Sequence, residues 1–407
     1  MAATHTVGRR EYSLQSSRII QNVLPKIILI DEDIRNAGFT AFYSRVDKEM
    51  TAQEKFFWDV DEYLSLTDTT SAAVSGTTGT TINVSNPKYF IPGQIWVNTR
   101  TSEVMQIKSV NNSSSEITVT RAISALNSGG GTAAAAINSG DTLVRLSPAV
   151  GENSSRQTTQ TTTPTETYNY CQAMRWDLSL SRRQIKRAYE TGDEMPYQTK
   201  KQMQEAMKQL NGTLIAGERG RFTNDSGDDV TLTRGIKNVP TTYTWSVGGT
   251  MHENSLDEFL VEEGFRKGSR NKVLFASTKV ILAFTQIGKD RLSYNFVDFG
   301  TKQGGMGIRV LSYMSPDGGE LMIVEDRFLS DAYNGTAIGV DMSQLKRKVF
   351  SRNGFDDDLH IIPDTQDNDD VGKVSTLYCD MGLQYGAEQH HFLITTVDGG
   401  AIGTSSL

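Results

Sequence analysis

Cysteine is nearly absent from this 407-residue chain, with only Cys171 and Cys379 present. Two thiols that far apart make neither a disulfide framework nor a zinc-ligand spacing, so both read as reduced, structural residues. No long apolar run is present. The opening MAATHTVGRREYSLQ lacks the hydrophobic core of a secretion signal. The best early run, Ile27 to Ile30, is far too short to span a bilayer, so no membrane partner is expected and the chain reads as made in a cytoplasm. An excess of positive charge is missing too. The net charge is −7, which argues against a surface that coats nucleic acid, because such a surface needs many Lys and Arg to replace counterions.

Recognisable catalytic sets are also lacking. Asp298 to Gly300 spells DFG, without the glycine-rich loop or lysine strand that a kinase requires. TKQGGMG, Thr301 to Gly307, has the wrong spacing for a phosphate loop and reads as a flexible loop, suited to a meeting point between subunits. His390 and His391 are adjacent and would face opposite sides of a strand, so they do not share one metal. His5, His252 and His360 are isolated. The densest acidic stretch, Asp356 to Asp370, offers Asp364, Asp367, Asp369 and Asp370 as weak metal candidates. Its spacing lacks the alternation and central glycine of a calcium loop, so a solvated loop, or one meeting Lys or Arg, is the simpler reading. No cofactor is expected.

What is present is pattern. At this length roughly two to three domains are expected. Residues 1 to 50 read as an extended arm carrying apolar teeth at Ile27, Ile28 and Ile30, interrupted by Pro25. In KFFWDVDEYL, Phe56, Trp58, Val60 and Leu64 alternate with polar positions, the period of a strand with one apolar face. In YNYCQAMRWDLSLS, Tyr168, Tyr170, Met174, Trp176, Leu178 and Leu180 do the same. The two runs are expected to form the legs of one long hairpin, residues 51–68 and 151–185, with Trp58 and Trp176 on a common face and packed on a neighbouring copy or on the sheet beside the long helix. Phe56, Trp58, Met174 and Trp176, together with the isoleucines of the arm, have too little local surface to cover them and are expected to be assembly contacts.

Between the legs lies an island rich in Thr, Ser, Gly and Ala, residues 69–150. Strand candidates TINVS, QIWVNT, EVMQIKSV, EITVTRAI and TLVRLS alternate there with turn signals, implying a small β-barrel or β-sandwich inserted at the hairpin tip. Ser154 to Thr167 reads as its return linker.

A long helix is expected over 196–217. Met203, Ala206, Met207, Leu210 and Leu214 form one stripe, Pro196 suits the first turn and Gly217 the cap. Gly212 inside it implies a bend or a closely packed neighbour. Beyond residue 251 the chain reads as a compact module of helices and strands. Ser255 to Glu258 looks like a capping box, NKVLFAS like a buried strand and STKVILAFTQIG like a second helix; IRVLSYM and ELMIVED read as strands. LHIIPDT and VSTLYCDMGLQYGAEQHHFLITTV should be strands returning to a sheet beside the long helix.

This order of parts resembles the major capsid proteins of tailed bacteriophages with the Hong Kong 97-like fold. The subfamily with a β-domain in the extended loop is the nearest likeness. The matching pieces are KIILIDEDIRNAGFTAFYSRV with FFWDVDEYL, YNYCQAMRWDLSLSRRQ, the long helix ending in LIAGERG, and the segment from KVFSRNGF to HHFLI. The resemblance implies an α+β fold in which 196–217 is the spine of a peripheral domain (186–250 and 346–407) and 251–345 is an axial domain. It also implies a non-enzymatic subunit that joins copies of itself, as hexamers and pentamers, into an icosahedral shell. The shell would enclose double-stranded DNA without sequence-specific binding, in a virion assembled in the host bacterial cytoplasm. A portal and a separate scaffold or decoration protein are the expected partners. Two alternatives stand beside it: a tail or baseplate protein with a glycan-binding β-module, and a hydrolase using paired carboxylates.

Overall fold

In the computed structural model the described residues are 38–125, 130–149, 152, 162–187, 193–287, 292–298, 307–352, 355–356, 358–367 and 371–401. The arm isoleucines Ile27, Ile28 and Ile30 and the aspartates Asp369 and Asp370 lie outside them, as do His5, most of the return linker and most of TKQGGMG. The chain divides into two compact units, one formed by Asp59–Thr167 and the other by the remainder.

The chain enters the larger unit with α1 (Gly38–Tyr43) and β1 (Lys48–Thr51), and leaves it through β2 (Lys55–Val60). The smaller unit holds β3 (Thr67–Thr69), β4 (Thr81–Asn83), β5 (Ile95–Asn98), β6 (Val104–Asn111), β7 (Glu116–Thr120) and β8 (Thr142–Arg145). Its antiparallel sheet runs β3-β8-β5-β6-β7-β4. A bridge between Thr70 and Val84 then joins the two edge strands. Ser71 donates to Asn83 and Ser85 to Thr69 across this seam, each at 3.0 Å. One sheet closed on itself leaves no exposed edge, which resolves the barrel-or-sandwich question in favour of a small barrel. Alternation sets its interior: Ile82, Trp96, Met105, Ile107, Ile117, Val119 and Leu143 point inward.

A buried ion pair closes the barrel's core. Arg121 donates to both Glu103 oxygens, at 2.9 and 2.5 Å, and to the carbonyls of Gly76 and Ala135. Glu103 also accepts from the backbone N–H groups of Ala122 and Ala135. Removing one partner leaves the other charge buried, which costs about 3–5 kcal/mol. Arg121→Met is therefore expected to melt the barrel selectively. Thermal unfolding should split into two transitions, with the earlier one abolishing resistance to proteolysis only within residues 59–167.

The return runs through β9 (Thr165–Tyr170), β10 (Gln172–Leu180), α2 (Arg182–Lys186) and α3 (Glu194–Ala216). Next come β11 (Gly220–Thr223), β12 (Asp229–Leu232), β13 (Thr244–His252), α4 (Glu253–Phe259), β14 (Asn271–Ala276) and α5 (Thr278–Ile287). The chain ends with β15 (Leu292–Asp298), β16 (Gly307–Met314), β17 (Glu320–Glu325), α6 (Arg327–Ala332), β18 (Ala337–Val340), β19 (Lys346–Arg352), β20 (Phe355–Asp356), β21 (His360–Ile362), β22 (Lys373–Gln384) and β23 (Phe392–Ala401). Among the described residues no helix is long and apolar enough to cross a membrane.

Two sheets organise this unit. One follows β1-β19-β22-β10, with β20 and β21 as short additions; the other follows β13-β23-β18-β14-β17-β16-β15. β14 shows why the second sheet is a partition. Val273 and Phe275 face a core shared with α1, α3 and the first sheet. Leu274 and Ala276 face a different core, filled by Leu256, Phe259, Val280, Ala283 and Phe284. A strand apolar on both faces has to be covered on both.

The spine helix α3 spans about 35 Å at ~1.5 Å per residue. Ala206, Leu210 and Leu214 are buried as the stripe requires, and Asn211 joins them, whereas Met203 is exposed. At Gly212 the close-neighbour alternative holds: a Cβ there would stand 2.9 Å from the Phe328 ring. Beside it, Asn211 donates to both Asp326 oxygens at 3.2 and 3.0 Å and accepts from the Thr40 backbone N–H at 3.0 Å. Asp326 also accepts from the Phe39 N–H and caps α6 through Phe328. Asn211→Ala strips this carboxylate of a donor and should cost about 1–3 kcal/mol. The check is a fall in denaturant midpoint with an unchanged m-value.

Three expectations need correction. The run at 168–180 is not one hairpin leg. It breaks at Cys171, so that β9 pairs with β2 while β10 pairs with β22, Trp176 opposite Leu377. Alternation specifies one apolar face and leaves the partner open. The last strand does not return beside the spine; β23 pairs with β13 and β18 in the other sheet. Ser255 does not cap α4, whose N-cap is His252, because β13 stays paired with β23 as far as His252 and the helix follows without a loop.

Candidate assembly site

The β2–β9 ribbon is a two-stranded sheet of its own, paired with neither sheet of the larger unit, so its root decides how it is held. Phe56 and Trp58 lie on one face. Their rings stack at 5.9 Å, and Trp58 meets Tyr385 edge-on at 4.9 Å. The Trp58 indole donates to the Gly386 carbonyl at 2.8 Å. Asn169, fully buried, is the joint: its amide donates to Leu383 at 2.7 Å and its oxygen accepts from the N–H of Arg234 at 2.9 Å. At Gly382 the backbones come too close for a side chain, since a Cβ would stand 2.6 Å from the Tyr170 carbonyl and 2.9 Å from Phe56. The Tyr43 hydroxyl donates to that same residue's carbonyl at 2.8 Å.

The opposite face of the ribbon carries cations on aromatic rings. Lys55 lies 3.8 Å over Tyr168 and 4.6 Å over Phe57, and Arg219 lies 4.2 Å over Tyr168. Phe57 is about half exposed, with its polar neighbours holding it in place.

The four aromatic and methionine positions singled out by sequence therefore have partners inside the chain. Phe56 and Met174 are buried, and Trp58 and Trp176 are half-buried against the spine-side core. Trp58 and Trp176 do not share a hairpin face. The Trp176 indole donates to Gln209 on α3 at 2.6 Å, far in sequence from the Trp58 anchor. The premise that they lack local cover is corrected: the first sheet and the spine helix provide it.

Of the acidic candidates, Asp364 pairs with Lys373 at 3.3 Å, and Asp367 is exposed. Asp358 pairs with Lys48 and Arg347 at 3.3 and 3.2 Å. Among the described residues no group of three or more His, Cys, Asp or Glu is arranged to hold a metal ion.

Buried polar groups are what sequence reading missed: Asn169, Asn211, Asp326 and Lys272. Lys272 is buried with its ammonium on the carbonyls of Gly264, Lys267 and His390, at 2.8, 2.9 and 2.8 Å, and burial lowers its pKa to about 8. The signal available was a lysine opening an otherwise apolar strand, NKVLFA. His390 ends a short 3-10 turn and His391 follows it, so neither sits in a strand. Both Cys171 and Cys379 are free and buried, with burial raising their thiols to about 12.

His391 has a definite tautomer. Nε2 donates to the Tyr385 carbonyl at 2.7 Å, while Nδ1 accepts from the Asp341 N–H at 3.3 Å. A second proton on Nδ1 would face that donor, and burial already lowers the pKa to about 4. The unfolded chain, with an ordinary histidine near 6.5, binds this proton first. Stability is then full above pH ~6.5 and declines as pH falls toward 4. Thermal melts across that range should show the decline, and His391→Gln, which can keep an Nε2-like donor, should flatten it.

The sequence profile of the SU10 major capsid protein family matches residues 36–398. The chain belongs to that family. It is a structural capsid shell subunit, and the family is one of structural proteins, not enzymes. The tail-protein and hydrolase alternatives are thereby set aside. No curated protein matches. Among solved structures the chain is similar to the capsid of an empty GTA particle, at 10% identity, covering 97% of this chain and 100% of that one with a TM-score of 0.48. A Mycobacterium phage Adephagia chain shows 11% identity, 98% and 100% coverage and a TM-score of 0.46. An encapsulin complex of Synechococcus elongatus shows 12% identity, 60% and 80% coverage and a TM-score of 0.39. These three TM-scores lie below 0.5, and the family match alone carries the assignment.

Proposed function

We propose that this capsid subunit has the Hong Kong 97-like arrangement and joins copies of itself, as hexamers and pentamers, into an icosahedral phage head around double-stranded DNA. In this reading residues 1–50 are an arm, the β2–β9 ribbon is the extended loop, and 69–150 is a β-domain inserted at its tip. The first sheet and α3 form the peripheral domain. Residues 251–345 form the axial domain, to which β23 contributes a strand.

The observation that carries the proposal is the ribbon itself. Two isolated strands are marginal in water on their own. Here the root is fixed by Asn169, Trp58 and the close approach at Gly382, while the outer face keeps Phe57 exposed among cations. Such a ribbon reaches its full burial by lying on another copy, and closed symmetry multiplies that contact. The net charge of −7 suits a container that holds a polyanion without gripping it. Filling a head needs a portal, and guiding its curvature suits a separate scaffold, with a decoration protein as a further partner. Assembly then takes place in the host bacterial cytoplasm.

Electron microscopy and sedimentation of the purified full-length chain test the proposal. Polyhedral particles, or free six- and five-membered rings, are the expected result. A single-copy species at every protein and salt concentration would overturn it. In the same assay Trp58→Asp with Trp176→Asp should abolish particles, because both anchors that position the ribbon and spine are lost.

A further inference from the structure

Two short segments of this unit carry charge of a single sign. Residues 182–187, RRQIKR, carry Arg182, Arg183, Lys186 and Arg187 and no acid, hence +4. They form α2 and its C-cap, started by the Ser181 side chain accepting from Gln184, and α2 buries none of its residues. α2 packs against α3, which adds exposed Lys200 and Lys201. Three residues on from Lys200 along α3, Met203 lines a small hollow with Leu178 of β10 and Ile361 of β21, and Met203 and Ile361 are 42% and 44% exposed.

The opposite sign occupies α4 and the turn after it. Residues 253–263 carry Glu253, Asp257, Glu258, Glu262 and Glu263 and no base, hence −5, before Arg266 and Lys267 reverse the sign. Leu256, Phe259 and Leu260 face inward, and Asp257 accepts from the Tyr313 hydroxyl at 2.6 Å. Val261 is 40% exposed, flanked by exposed Glu258 and Glu262.

We propose that these two patches dock against each other between copies of the chain, the basic α2–α3 ledge of one copy on the acidic α4 ledge of the next. The inference rests on the shell-subunit reading and names a contact within it. Each patch sets exposed apolar surface near charge, a combination that protein interfaces use. Like patches cannot pair without opposing like charges, so the contact is head-to-tail. Contacts of that kind generate rings when the rotation closes, and extended arrays when it does not. Charge complementarity steers the encounter and excludes wrong registers.

The test follows shell formation by light scattering and electron microscopy for the full-length chain and three variants. R182E with R183E, and separately E258R with E262R, should each lower shell yield about tenfold or more. All four substitutions together should restore it to within about threefold of the unsubstituted chain, since both faces have then exchanged sign. Assembly of the unsubstituted chain should slow as salt rises from about 50 to about 500 mM. Circular dichroism and melting curves identical to the parent's establish folding. If reversal unfolds the chain, the neutral R182Q with R183Q makes the same comparison against E258Q with E262Q, where each pair should lower yield. Doubly substituted chains that assemble normally, or a four-fold variant no better than its parents, would overturn the contact while leaving the shell reading intact. Loss confined to the arginine variant, together with loss of duplex DNA binding, would overturn it in favour of a nucleic-acid surface. An unsubstituted chain that forms no particles would count against the shell reading itself.

Discussion

Asp326 is a fully buried carboxylate placed where four elements meet. It follows β17, caps α6, accepts from the Phe39 N–H in the first turn of α1, and accepts from the Asn211 side chain of α3. Burial pushes its carboxyl above the usual range, and the donors around it pull it part of the way back. The geometry is demanding because each donor comes from a different part of the chain. A Cβ at Gly38 would stand 3.0 Å from the carboxylate, and Gly212 admits Phe328 beside Asn211. A long helix lying on a sheet can slide by one turn at little cost in apolar contact. A buried amide that must meet one carboxylate cannot, so this node fixes the register of the spine.

The seven-stranded sheet carries that register outward. Its central strand β14 pairs with β17 in parallel and with β18 in antiparallel fashion, and presents alternate residues to two cores. On one of its faces Phe275 receives Phe39 and Phe42 of α1 edge-on at 5.0 and 5.4 Å, in the core that α3 also enters. The root of the ribbon is tied to the same body by Tyr43, which packs in that core and donates to Gly382. Spine, partition and ribbon are thus set by one connected set of contacts.

Local periodicity was legible wherever one surface dominated. The stripe of α3, the helix α5, the strand NKVLFA and the five candidate strands of the barrel all occur where their patterns place them. Pairing was not legible, because a two-residue alternation is silent about its partner. Hence the break at Cys171, and hence β23 crossing to the second sheet. Buried polar joints were equally hidden: Asn169 and Asn211 look like ordinary polar positions until tertiary structure surrounds them. For the candidate site, the alternation marked Phe56, Trp58, Met174 and Trp176 as one-faced apolar positions that need cover, but not the partners, which belong to the same chain. The family came from the order of parts, which survives when individual motifs are diffuse.

That misplacement has a consequence for how a shell can assemble. Had Phe56, Trp58, Met174 and Trp176 been uncovered, the free subunit would expose a large apolar surface and aggregate without selectivity. Instead these apolar groups stabilise the subunit, and among the described residues exposed apolar side chains such as Met203 and Val261 stand close to charged ones. Contacts through such side chains are weak one at a time. A contact near the millimolar level is worth only about 4 kcal/mol, so a misplaced subunit leaves readily. In a closed shell every subunit makes several such contacts at once, and their combination is tight although none is. Weak, charge-bordered contacts between folded subunits allow errors to be corrected during growth and still give a durable particle when growth closes.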